Sequence, residues 1–151
     1  MAKYLTNNAG VITESQPEGA GGSGGASGKI PHLDGNGRLP STMMPTGIGA
    51  DTATIAASEA LAAGDFVNVW NSSGAKVRKA DASVAGKEAH GFVLAAVSNG
   101  ANATVYFEGT NDQVTSQTPG VVYLSAATAG LATATAPSGT GQVVQRLGFA
   151  I

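Results

Sequence analysis

The chain contains no cysteine, which excludes disulfide bridges, thiolate zinc sites and cysteine nucleophiles. Charge is scarce as well. Asp, Glu, Lys and Arg make up 12% of 151 residues, ten acidic against eight basic, for a formal net charge of −2. The basic residues are scattered, and their densest group is Lys76, Arg78 and Lys79. Lys76 and Arg78 stand two apart and so share one face of an extended strand. Binding to nucleic acid requires clustered Lys and Arg, so none is expected. No run approaches the ~18 apolar residues of a membrane helix. The opening MAKYLTNNAG has no apolar signal-peptide core, so neither a membrane partner nor secretion by a standard signal is expected.

What is abundant is small. Glycine occurs 22 times, and alanine, serine and threonine are frequent. With so little charge, small polar side chains must solvate the surface, which suits a protein covered by copies of itself or by a partner. Four stretches follow in order. Residues 1–16 form an N-terminal segment with a possible hairpin over Asn7, Asn8, Ala9 and Gly10, a turn-prone run. Residues 17–28, PEGAGGSGGASG, hold six glycines and no large apolar side chain, so they form a linker. Residues 29–50 carry prolines at 31, 40 and 45 and read as an extended arm with a turn at 34–37. Its apolar residues Ile30, Leu33, Leu39, Met43, Met44 and Ile48 have no core of their own and must lie on another surface. They are the candidate partner-binding residues, and methionine suits irregular contacts of this kind.

Residues 51–151 read as a mainly β domain, a compact antiparallel β-sandwich or small barrel. Strands are expected at 51–58, 66–70, 75–79, 92–97, 104–107, 121–125, 131–136 and 142–151, and one short helical turn within 80–88. Glycines 64 and 74 bracket a strand and turn, as glycines 120 and 130 do again. Each unit is followed by a Gly-Phe pair, at 91–92 and 148–149, which points to a repeated β unit.

A search for chemistry finds little. His32 and His90 are the only histidines and stand apart, so they make neither a metal site nor a triad. The LDGNG at 33–37 resembles the start of a calcium loop but lacks the remaining ligands. GAGGSGG has no following Lys-Ser/Thr and is no phosphate loop. Trp70, Tyr106, Phe107 and Tyr123 are read chiefly as the few large core residues. As an alternative, Trp70, Tyr106 and Tyr123 offer a glycan-binding platform. The residues thus point away from an enzyme, and no cofactor is expected.

The landmarks GDFVNVW, KADAS…GKEAHGFV, VYFEG and PGVVYLS, within residues 29–151, resemble a β domain of tailed-bacteriophage virion proteins. Such domains occur in capsid decoration (cement) proteins and in head- or tail-fibre proteins. KIPHLDGNGRLPSTMMPTGIG resembles the connector before such domains in fibres. No long repetitive shaft is present, which favours a decoration protein over a long fibre. The resemblance implies a non-enzymatic viral protein, made in the host cytoplasm and seated on the capsid exterior. Its implied partners are the major capsid protein and itself, as a homotrimer. The alternative it leaves open is a fibre or appendage adhesin for a host-surface glycan.

Overall fold

Short alternating runs broken by glycine turns become ten strands among the residues described by the computed structural model, namely 4–15, 33, 37–39 and 51–151. The chain divides into two units, Met1–Gly49 and Ala50–Ile151. In the first, β1 (Tyr4–Asn8) pairs antiparallel with β2 (Val11–Ser15). Ala9 and Gly10 both adopt positive φ, 52° and 86°, as a two-residue hairpin turn requires. The Gly10 N–H donates to Asn7 Oδ1 at 2.8 Å. The expected hairpin is therefore present. The linker 17–28 and most of the arm lie outside the described residues.

The second unit contains β3 (Thr52–Ala57), β4 (Phe66–Asn71), β5 (Ala75–Lys79), β6 (Gly91–Phe92), β7 (Asn102–Tyr106), β8 (Gly120–Leu124), β9 (Ala132–Thr133) and β10 (Arg146–Ala150). Five strands close into a barrel in the order β3-β5-β4-β6-β7, with β7 returning to β3. The other three form a sheet ordered β10-β8-β9. The mainly β expectation holds, with a barrel as its core. The pairing is not wholly antiparallel, however: β3 runs parallel to β5 at Ala56↔Lys76 and Ala57↔Val77. The cause is topological. Strand direction cannot alternate all the way round a closed ring with an odd number of members, so one parallel contact is forced.

No helix occurs among the described residues, and the expected helical turn in 80–88 is a chain of turns instead. Its backbone groups are engaged elsewhere. The Ala82 N–H donates to Ser125 O, the Ala82 carbonyl accepts from Val143, and the Asp81 N–H donates to Lys87 O. None of these groups is left for an i→i−4 ladder. The run expected as a strand over 92–97 pairs only at Gly91–Phe92, because Val93 turns to bond Asp65 and Gly64, and Val97 bridges Leu61.

The barrel interior is packed by Ala57, Leu61, Val67, Val77, Val93, Ala103 and Val105, with Ile55, Val69, Val97 and Phe107 against them. A five-stranded barrel is narrow, and small branched side chains fill it. The large aromatics expected in the core lie mainly elsewhere. Phe66, Phe92 and Tyr106 are register partners across β4, β6 and β7. They form a row, with Phe66 edge-on to Phe92 at 6.2 Å and Phe92 stacked on Tyr106 at 5.7 Å. Phe66 also joins the second core, Ala80, Ala82 and Leu124, which is completed by Ala89, Ala126 and Leu147.

Barrel and sheet are joined through main-chain bonds. Phe66 donates to Gly130 O at 2.8 Å, and Gly130 donates to Ala80 O at 2.7 Å. The two strand triplets β5-β4-β6 and β9-β8-β10 share their order and antiparallel sense, in keeping with the repeated glycine pattern.

Two outcomes are expected from this packing. A chain of residues 50–151 alone unfolds in urea as one cooperative transition; a non-cooperative profile would place the boundary elsewhere. Gly91→Ala puts a Cβ against the Tyr106 carbonyl oxygen and 2.9 Å from Val105 Cγ1. Backbone does not yield as a side-chain tip does, so a loss of roughly 1–3 kcal/mol is expected in the same assay.

Candidate functional site

The second unit carries an open cleft of about 750 Å³. One wall is the continuous run 145–151, which includes all of β10. The facing wall comes from His90–Phe92 and residues 107–112 of the barrel side, and Phe66 and Val122 contribute apolar surface. The same run helps to hold the walls together. Gln145 makes a reciprocal pair with Ala89, accepting its N–H at 2.7 Å and donating to its carbonyl at 2.8 Å. Asn111 Nδ2 donates to Gly64 O at 2.9 Å.

A β-bulge between Arg146 and Gly148 decides what β10 presents. Leu147 turns into the second core. Arg146 and Phe149 register opposite Tyr123 and Val121. The Arg146 guanidinium lies 4.2 Å from the Phe149 ring centroid, and Phe149 is 65% exposed. Uninterrupted period-2 alternation along a strand over 142–151 would set Leu147 and Phe149 on one face. The bulge adds a residue and reverses that relation. The signal available in the sequence was Gly148, whose φ of 156° lies in territory that favours glycine.

The sequence-predicted glycan residues are not register partners of one another. Trp70 on β4 stands opposite Lys76, Tyr106 on β7 opposite Phe92 and Thr52, and Tyr123 on β8 opposite Arg146 and Thr133. Trp70 is already engaged within the chain: its Nε1 donates to Ser58 Oγ at 3.1 Å, and the Arg78 guanidinium sits 4.6 Å from its ring centroid. Arg78 in turn donates to Asn68 Oδ1 and Gly86 O, and Asn68 Nδ2 donates to Glu88 O at 2.7 Å. This network ties the 80–90 loop to β4. His90 belongs to it, because its Nδ1 accepts the Val69 N–H at 3.0 Å.

Of the predicted arm residues, Leu33 and Leu39 are exposed. Ile30, Met43, Met44 and Ile48, and likewise His32, lie outside the described residues. Among the described residues no group of three His, Cys, Asp or Glu is placed to hold a metal ion, and no helix is long and apolar enough to cross a membrane. No protein-family model, no curated protein and no solved structure matches this chain.

Two loop carboxylates are shifted. Burial pushes the Asp81 carboxyl upward, but hydrogen bonds from Ser83, whose N–H lies 2.8 Å away, and the Lys87 charge outweigh it and hold it low. Glu88 is lowered by its own N–H and by the Gly86 N–H at 2.9 Å; burial opposes this and the nearby His90 adds to it. Both folded values lie below the unfolded ones. Their stabilising contribution is therefore present above the unfolded carboxylate pKa and is lost as pH falls through the folded pKa. In an NMR titration, the Ser83 and Gly86 amide shifts are expected to change with midpoints below the ordinary carboxylate range. Midpoints at or above that range would remove these bonds from the account.

Proposed function

We propose that this chain is a non-enzymatic structural protein of a tailed-bacteriophage virion. In this reading it seats on the capsid exterior as a homo-oligomer, three copies about one axis, and stabilises the shell. Contact with the major capsid protein runs through the N-terminal arm. The observation that carries this reading is the division of the chain. A folded barrel-and-sheet unit follows a separate N-terminal unit, and the apolar side chains Leu5, Val11, Ile12, Leu33 and Leu39 of that unit are exposed. A contiguous exposed apolar patch marks a surface that a partner covers, and we read these residues as contributing to one. An isolated two-stranded hairpin is marginal in water, so β1 and β2 also gain from being covered.

The physical logic is multivalency. Arms tethered to one oligomer raise one another's effective concentration, so individually weak contacts sum to a tight complex. Each arm loses conformational freedom on seating, and apolar burial at ~25 cal/mol per Å² must exceed that loss. The adhesin reading depends on Trp70, Tyr106 and Tyr123 acting together. It is the less supported of the two, because Trp70 already spends its N–H and a ring face within the chain.

Co-sedimentation with undecorated phage shells tests the proposal. Saturable binding at a copy number matching the shell's symmetry axes is expected. Replacing Met43 and Met44 by Asp is expected to weaken binding by about tenfold or more while leaving the melting temperature unchanged, since each buried methionine is worth ~1.5–3 kcal/mol. Absence of shell binding, with binding instead to host cells that Trp70→Ala abolishes, would establish the adhesin reading.

A further inference from the structure

β10 is an edge strand of its sheet, as is the two-residue β9, and pairs with β8 on one side only. An edge strand leaves a row of N–H and C=O groups unpaired, and proteins commonly guard such rows with charge, proline, a bulge or a covering element. The bulge and Arg146 guard the start of β10. Gly148, Phe149, Ala150 and Ile151 have no charged side chain and no proline, and Phe149 and Ile151 are exposed.

The cleft beside this strand holds charges of both signs. Arg146 lines it from β10, and Glu108 and Asp112 line it from the facing wall. No ion pair joins Arg146 to either carboxylate among the described residues. Asp112 accepts from Gln113 Nε2 at 2.9 Å. An exposed aromatic ring, the guanidinium stacked on it and the Glu108 carboxylate, neither charge held in an ion pair among the described residues, therefore share one surface. A partner of uniform charge would leave one sign unmatched. A second copy of the same surface matches both, because a symmetry axis sets residue i of one copy against j of the next.

We propose that the cleft along β10 is covered by a second copy of this chain, with Phe149 buried between the copies and Arg146 of each set against Glu108 of its neighbour. This rests only on the self-association part of the proposed function and is independent of shell binding.

Sedimentation velocity of the full chain over a wide concentration range, with no shell present, tests it. A concentration-dependent oligomer is expected. Phe149→Asp and Arg146→Glu are each expected to raise its dissociation constant roughly tenfold or more. Both positions are exposed, so thermal melts of these variants should match the parent. The decisive variant combines Arg146→Glu with Glu108→Arg, which should recover most of the affinity that either single change loses. The proposal is overturned by a monomer at every concentration, by an oligomer indifferent to Phe149→Asp, Arg146→Glu and Glu108→Arg made singly, or by a double variant no tighter than its two component singles. A chain that self-associates in this way yet ignores phage shells would sink the capsid role and leave this interface standing.

Discussion

Asp65 is the point at which the second unit is joined. It is 3% exposed, with Oδ2 accepting the Ala62 N–H at 2.8 Å and standing 3.4 Å from Lys79 Nζ. A buried carboxylate left unpaired is costly, so these partners are obligatory. Its main-chain carbonyl accepts from Val93, which directs the chain after β6. Gly130 packs directly against it: a Cβ there would fall 2.7 Å from Asp65 Oδ1, at a φ of +84°. Gly130 also bonds Phe66 and Ala80, so β4, β5 and the β8–β9 connection meet around one carboxylate. The order β10-β8-β9 then sits against the barrel, and the cleft beside β10 is the space left between them.

The small-residue composition works in two directions. Valines, alanines and Leu61 fill the narrow barrel, with Phe107 packed against them. Other rings are displaced outward into the Phe66–Phe92–Tyr106 row and onto the sheet. The row packs barrel against sheet at Phe66, while Phe149 is left in solvent beside Arg146. Low charge has a matching effect. Among the described residues of the second unit, Lys79 and Asp65 form an ion pair, and main-chain bonds such as Ala82–Ser125 and Val143–Ala82 join its parts.

The proposed virion role gives these features a common purpose. A rigid unit that self-associates, preceded by an apolar arm, is suited to seating on a repeating surface, because each copy adds one weak contact to a shared complex. On this reading the arm and the β10 cleft divide the work, the arm toward the shell and the cleft toward other copies.

The local organisation was legible in the chain itself. Glycine and asparagine turns marked the β1–β2 and β4–β5 hairpins, since positive φ at Gly10 and Gly74 is a local requirement. Alternation marked β3, β4, β5, β7 and β8 to within two residues at either end. The division near residue 50 followed from the glycine-rich and proline-rich stretches before it. What alternation could not tell was which strands become neighbours. The parallel β3–β5 contact comes from closing an odd ring, a property of five strands together and of none alone. The 80–88 loop declined a helix because Ser125 and Val143, distant in sequence, took the backbone bonds of Ala82. The direction of Phe149 turned on one bulged residue, fixed by the register of β10 against β8. Sequence determined where the chain is extended and where it turns, because those are local torsional preferences. Tertiary structure decided closure, register and the exposed surface, because these depend on hydrogen-bond partners that the folded chain brings from far along the sequence.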